Sequence, residues 1–140
     1  MNKLQEQVTE FHRAFGHPVR FAPAELKGHD KNRRIAWMLE EIAELQSATN
    51  IVEQADAVCD LVYFAIGFLV EAGVDVDLVF SAIHKANMRK LHDGKVIRGT
   101  DGKVIKPEGW IGPESEILLG LTSGAMQNAL SNVLILGDKK

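Results

Sequence analysis

One segment of the sequence, from Ala57 to Val70, constrains the fold more than any other. Its residues are apolar on every side of a helical wheel, apart from a single charge at Asp60. A helix that is apolar all round is predicted to be central and buried. The most apolar stretch, Leu61–Val70, is about half as long as a bilayer requires, so a membrane span is not expected.

Asp60 is costly in such a helix unless it has a partner or changes its protonation state. An ion pair with an arginine is one interpretation, and a metal ligand is the other. At about 100° per residue, Glu53, Asp56 and Asp60 fall within roughly 60° of each other, so three like charges share one stripe. A cation would turn their repulsion into attraction, and this favours the metal ligand.

The preceding helix carries a second acidic group, in which Glu41 and Glu44 are neighbours on one face. The apolar stripe of this helix is formed by Ile35, Leu39, Ile42 and Leu45. The two glutamates lie largely opposite that stripe, so helical spacing alone favours a solvated acidic face. Trp37 lies on the same side as the glutamates, which indicates that this face also packs against something.

The two acidic helices are joined by only a few residues, so they are predicted to form an antiparallel pair. Glu41, Glu44, Asp56 and Asp60 would then lie within a few turns of the connection. Carboxylates without histidine or cysteine make a hard oxygen-ligand site, which selects Mg²⁺ or Mn²⁺ over zinc. Magnesium completes its coordination with water and phosphate oxygens, so a nucleotide polyphosphate is the expected substrate class.

Apolar spacing and turn residues predict an all-α fold. The four predicted helices cover residues 3–15, Asp30 or Asn32 to about Ala48, about Val52 to Ala72, and Asp75 or Asp77 to about Leu91. Asp-Gly-Lys-Val-Ile occurs at 93–97 and again at 101–105, which predicts a small hairpin. Residues 114–136 are predicted to be helical, with an interruption near Ser123.

Composition and charge exclude several classes of function. With 140 residues the chain has room for one core. It carries 16 Lys and Arg against 19 Asp and Glu, which argues against nucleic-acid binding. Cys59 is the single cysteine, so the chain offers neither an internal disulfide nor a thiolate zinc site. The polar start has no apolar signal core, so a cytoplasmic location is expected.

The acidic residues resemble a family pattern, E-E-x-x-E on one helix followed by E-x-x-D on the next. Residues 40–44 match the first half in full, and residues 53–56 fit the second half literally. In these motifs the chain resembles the MazG-like, all-α nucleoside triphosphate pyrophosphohydrolases. This superfamily includes phosphoribosyl-ATP pyrophosphohydrolase and the dimeric dUTPases. The run at 60–63 resembles the family's Asp and the residues after it, so we interpret Asp60 as that Asp.

Three further blocks carry the resemblance: Phe11–Gly16, His84–Leu91 and residues 101–110. It extends over about residues 4–112, and the tail matches no pattern. We therefore expect a MazG-like domain of the four-helix-bundle type over 1–112, with a C-terminal loop or hairpin. Residues 113–140 would form a C-terminal extension.

The resemblance implies a Mg²⁺-dependent enzyme, with Mn²⁺ as a possible substitute. It would cleave the α–β phosphate linkage of a (d)NTP to give (d)NMP and pyrophosphate. The implied catalytic residues are Glu40, Glu41 and Glu44, and Glu40 would act as a ligand or as the base. The implied metal ligands are Glu41, Glu44, Asp56 and Asp60, with Glu53 in reserve. The implied substrate contacts are Asn87, Lys90, Trp37 and Lys103.

The resemblance and the two packed helix faces also predict a homodimer or a homotetramer. Two alternative functions stay open at this point. One is the hydrolysis of phosphoribosyl-ATP, against which the C-terminal loop block argues weakly. The other is a non-catalytic helical assembly module whose acidic site binds a structural cation.

Overall fold

The fold is all-α, as predicted, in a computed structural model that describes residues 2–123. Its helices are α1 (Lys3–Phe15), α2 (Gly28–Ser47), α3 (Ile51–Glu71) and α4 (Val76–Met88), and a further helical segment, α5, is described over 114–123. The chain divides into two compact units, Met1–Val76 and Asp77–Lys140. The first unit contains α1, α2 and α3.

Side chains next to the helix ends define where α1 and α3 begin. The Asn2 side chain accepts a hydrogen bond from the Gln5 N–H at 2.9 Å, and the Asn50 side chain accepts from the N–H groups of Val52 and Glu53. These bonds satisfy donors that the helix leaves unpaired. α1 ends at Gly16, whose φ of 72° is a left-handed conformation that glycine adopts without strain.

α2 begins earlier than the sequence indicated. Asp30 and Asn32 were predicted as caps, but the helix starts at Gly28 with Lys27 as its N-cap. Asp30 therefore lies inside the first turn, where its carboxylate accepts a hydrogen bond from Arg33 at 3.0 Å. An acidic residue there still favours the helix, because it faces the positive end of the helix dipole.

α3 lies in the middle of the first unit and packs against both α1 and α2, which confirms its predicted central place. Val8 of α1 and Ile66 and Val70 of α3 form the buried core. The prediction that α3 is buried all round was wrong, because Val62 and Asp60 are exposed.

In the part of the chain that the structure describes, no single helix is long and apolar enough to cross a membrane, and α3 passes that test only when counted with α4 across a bend.

The second unit contains α4, the segment after it, and α5. The predicted hairpin is reduced to two isolated bridges, His92 with Lys95 and Arg98 with Val104, and the described residues contain no strand. α4 ends at Met88, before the predicted Leu91. The helix predicted for 114–136 is described only as far as Ser123. Its remaining part, which includes Gly124 of the predicted interruption, lies outside the described residues.

Two contacts hold the second unit together around the end of α4. The Trp110 indole N–H donates to the Ala86 carbonyl at 2.9 Å, so the aromatic ring is anchored on α4. An ion pair of 2.7 Å joins Arg89 to Glu116, which ties α5 to the same helix end. The loop residues between them are therefore positioned by an anchored indole and an ion pair.

Candidate active site

The face of α2 that packs against α3 is the polar face with Trp37 and Glu41, as the position of Trp37 indicated, and not the apolar stripe. Arg34 and Glu41 are buried, and Trp37 is half-buried. The stripe residues Ile35, Leu39 and Ile42 are exposed, while Leu45 is half-buried. The reason is specific pairing: Arg34 meets Glu71 and Trp37 meets Phe64 across the helix pair.

Glu41 is the acidic residue that this pairing buries, and its side chain lacks a complete set of partners. Only 8% of the residue is exposed. Within the described part of the chain, its Oε2 atom is buried and has no hydrogen-bond partner. A buried polar atom without a partner is unusual in a folded protein and points to an ion or ligand that would complete it.

Burial raises the pKa of Glu41, and the neighbouring carboxylates of Glu44, Asp60, Glu40 and Asp56 raise it further, in that order. All four neighbours therefore lie within electrostatic reach of Glu41. Each repels its ionised form, so the group is unfavourable without a counterion. A divalent cation among these oxygens would reverse that repulsion. Carboxylate oxygens of this kind are the ligands that a hard cation prefers.

The other four carboxylates are exposed on the surface of the helix pair. Glu40 and Glu44 belong to the second half of α2, and Asp56 and Asp60 belong to the first half of α3. Among residues 2–123 no group of three aspartate, glutamate, histidine or cysteine side chains is placed to hold a metal ion.

Glu53, the reserve ligand, has a different role in the structure. Its Oε2 accepts hydrogen bonds from the Thr49 N–H at 2.7 Å and from the Thr49 hydroxyl at 3.0 Å. These bonds lower the pKa of Glu53, with a smaller contribution from Asn50. The carboxylate therefore stabilises the start of α3, and it is less available to a metal than the other acidic residues.

Trp37, a predicted substrate contact, has its ring surrounded by protein groups. The guanidinium carbons of Arg34 and Arg33 lie 5.0 and 5.5 Å from the ring centre, and the Phe64 ring lies at 5.5 Å. His17 approaches edge-on at 6.0 Å. The Trp37 ring thus contacts side chains of its own helix, of α3 and of the residues after α1.

The remaining predicted substrate contacts belong to the second unit. The Lys90 ammonium donates to the Asn87 side-chain oxygen at 2.7 Å and lies 5.7 Å from the centre of the Trp110 ring. Lys106 lies 4.1 Å from the same ring. Lys103 is exposed and its ammonium lies 3.7 Å from the Asp101 carboxylate. Lys90 and Lys106 thus both lie near the Trp110 ring, whereas the contact of Lys103 is with Asp101.

A buried polar cluster at the other end of the α2–α3 pair was missed by sequence reasoning. Arg34 Nη2 lies 2.7 Å from Glu71 Oε1 and 2.8 Å from His12 Nε2, and Arg33 reaches the same carboxylate at 3.2 Å. One interpretation of the sequence had placed an ion pair with an arginine at Asp60, and not at Glu71. Glu71 could have been found, because it is the charged residue that directly follows the apolar run Leu61–Val70.

His12 is neutral in this cluster. Its Nδ1 is 2.9 Å from the Pro18 carbonyl, which can only accept, and its Nε2 faces a guanidinium, which can only donate. These partners assign the proton to Nδ1. Burial lowers the pKa of His12, and the Pro18 hydrogen bond and Glu71 offset this in part.

The comparison with protein-family models gives a match that includes both acidic helices. The family model for phosphoribosyl-ATP pyrophosphohydrolase matches residues 8–87, which is more than half of the chain. The matched range includes most of α1, all of α2 and α3, and α4 as far as Asn87. No curated protein matches the chain.

Proposed function

Because the chain belongs to the phosphoribosyl-ATP pyrophosphohydrolase family, whose members hydrolyse phosphoric anhydrides, we propose that it cleaves the α–β phosphate linkage of a nucleoside triphosphate with the help of Mg²⁺. Mn²⁺ is the expected substitute. The observation that carries this proposal is the buried Glu41 oxygen without a partner, surrounded by further carboxylates. Oxygen donors of this kind prefer a hard cation, and the substrate's phosphates supply its remaining ligands.

The acidic residues of α2 and α3 would have different roles in this reaction. Glu41, Glu44, Asp56 and Asp60 would hold the cation, and Glu53 is the reserve. A bound divalent cation neutralises phosphate charge and makes a water molecule more acidic. The exposed Glu40, beside the buried Glu41, would join the ligands or accept the proton of the attacking water. The water oxygen would form a bond to one phosphorus of the α–β linkage while the bond from that phosphorus to the bridging oxygen breaks, which gives a nucleoside monophosphate and pyrophosphate.

Contacts to the substrate would come from Asn87, Lys90 and Lys103, with Trp37 as a further candidate. The Lys90 ammonium suits a phosphate oxygen because it is a compact charge. Asn87 offers both a donor and an acceptor for a sugar hydroxyl.

Phosphoribosyl-ATP is a second candidate substrate, and the family match favours it. Its triphosphate would be cleaved at the same linkage with release of pyrophosphate. The two candidates therefore share the metal site and differ in the group attached to the α-phosphate.

We also propose that two copies of the chain associate through the apolar stripe of α2. Leu39 is 57% exposed, and Ile35 and Ile42 are exposed beside it. A second copy would cover these residues by a two-fold interface. A homotetramer built from such dimers is the larger alternative. The proposed domain division, 1–112 and 113–140, stays a prediction.

Pyrophosphate release from a substrate panel tests the proposed activity. Full-length protein is freed of metal with a chelator and assayed with each dNTP, each NTP and phosphoribosyl-ATP, with and without Mg²⁺ or Mn²⁺. We expect pyrophosphate and the monophosphate in equal amounts, and no activity without metal. Glu41→Gln is the matched inactive control. Binding without turnover across the panel would contradict the proposal and favour the assembly module.

A further inference from the structure

The α2–α3 interface is built in successive layers that run from the buried cluster to the carboxylates. Arg34 lies against Glu71 in the first layer, and Trp37 packs on Phe64 in the next. Glu41 follows Trp37 by four residues, about one turn further along α2. On the antiparallel helix, Asp60 precedes Phe64 by the same four residues. The register that pairs Trp37 with Phe64 therefore also sets Glu41 opposite Asp60.

Arg34 connects the first two layers. Its guanidinium is bonded to Glu71 and His12 at one edge, and it lies 5.0 Å from the centre of the Trp37 ring. The side chains of Arg34 and Glu71 are 3% and 1% exposed, so water hardly competes for these contacts. A planar guanidinium can bond at its edge and stack on its face at the same time, which an ammonium cannot do.

Gly67 shows how closely the guanidinium is seated on α3. A Cβ atom at this position would lie 2.6 Å from Arg34 Nη1 and 3.0 Å from His12 Nε2. Both distances are shorter than ordinary contacts, so a side chain here would displace Arg34 or His12. The absence of a side chain on Gly67 thus lets the arginine lie directly against the helix backbone.

We propose that Arg34 is a positioning residue for the metal site: held by Glu71 and His12 against Gly67, it fixes the register of α2 on α3 through Trp37 and so keeps Glu41 facing Asp60. This inference rests on the proposed function, since it assigns a task to residues that hold the cation. Setting register is the best-attested use of a buried ion pair, whose net contribution to stability is often small. Arg34 itself would touch neither metal nor substrate.

Direct binding of Mn²⁺ to the full-length protein, followed by electron paramagnetic resonance without substrate, tests the proposal. Arg34→Lys keeps the charge but loses the fork and the stacking, and Gly67→Ala displaces the guanidinium without removing a partner. We expect both variants to bind Mn²⁺ about 10–100-fold more weakly, the loss typical of groups that orient metal ligands. The metal concentration for half-maximal activity should rise in parallel, while KM for the nucleotide at saturating metal changes little.

Val70→Ala is the matched control, because Val70 is buried in the apolar core with Val8 and Ile66 rather than in the polar cluster around Arg34. It should lower the melting temperature and leave Mn²⁺ affinity unchanged at temperatures where the protein is folded. If Arg34→Lys does not fold, Gly67→Ala decides. Unchanged Mn²⁺ affinity in a folded Gly67→Ala protein would overturn the positioning role. Absence of Mn²⁺ binding and of metal-dependent activity in the unmodified protein would instead overturn the proposed function, and the inference with it.

Discussion

The two ends of the α2–α3 interface bury carboxylates in opposite ways. At one end Glu71 faces the guanidinium groups of Arg34 and Arg33 at 2.7 and 3.2 Å. Toward the other end Glu41 is buried among carboxylates, and the pKa of its side chain is raised by burial and by their charge. A buried charge that is paired within the same chain contributes to the structure of the fold. A buried charge that is surrounded by like charges needs a counterion from outside the chain.

Removal of the charge at the paired end should have the largest effect on stability. In Glu71→Ala the buried Arg34 guanidinium loses its counterion, which typically costs about 3–5 kcal/mol. Denaturant unfolding of the variant and of the unmodified protein measures this loss. Glu25→Ala, an exposed acidic residue that pairs with Lys27, is the control and should change stability by well under 1 kcal/mol, or about the value of a surface pair. Equal stability of both variants would mean that the paired end is not a structural element.

Removal of a charge at the other end should abolish activity without harming the fold. Asp60→Asn takes away one proposed ligand and relieves repulsion on Glu41, so the melting temperature should stay the same or rise. Hydrolysis at saturating Mg²⁺ should fall by more than about 100-fold, beyond the loss typical for groups that only orient ligands. A large drop in melting temperature with activity retained would instead identify Asp60 as a structural ion-pair partner.

Sequence reasoning identified the helices and the acidic residues because both depend on local spacing. The central place of α3 followed from its apolar residues, and the E-E-x-x-E pattern drew attention to Glu41. The position of Trp37 indicated that its face of α2 is packed, but local spacing could not show that this face, and not the apolar stripe, meets α3. Helical spacing favoured the apolar stripe with Leu39, but the observed face is decided by Arg34, whose partner Glu71 lies far away in sequence.

Metal should stabilise the protein by binding at the end of the α2–α3 interface where Glu41 lies among carboxylates. A cation that binds only the folded state adds about 2.7 kcal/mol when its concentration is 100 times its dissociation constant. Millimolar Mg²⁺ or Mn²⁺ should therefore raise the melting temperature, and Glu41→Gln and Glu44→Gln should each reduce that shift. Glu53→Gln, whose carboxylate is bonded to Thr49, should retain most of it. A full shift in both Glu41→Gln and Glu44→Gln would show that these two residues form a solvated face.

The smallest expected effect concerns the pH dependence of the paired end. Burial lowers the pKa of His12 in the folded protein below its ordinary value near 6.5. The charged and titratable groups that face it are Arg34, Glu71 and His17. As the pH falls below about 6.5, the unfolded chain takes up a proton at His12 that the folded protein does not, so stability must fall. The contribution is fully present above that pH, and its slope cannot exceed about 1.4 kcal/mol per pH unit for one proton.

Unfolding in denaturant at several pH values between 5 and 7.5 measures this slope. His12→Gln keeps a polar side chain that does not titrate, so its stability should depend less on pH over this range than that of the unmodified protein, even if the variant is less stable throughout. His29→Gln, which removes an exposed histidine, is the control variant. The comparison between the two variants separates burial in the cluster from the general effect of losing a histidine. Identical slopes for His12→Gln and the unmodified protein would mean that His12 exchanges its proton as freely in the folded state as in the unfolded chain, and that the paired end is less closed to water than its hydrogen bonds indicate.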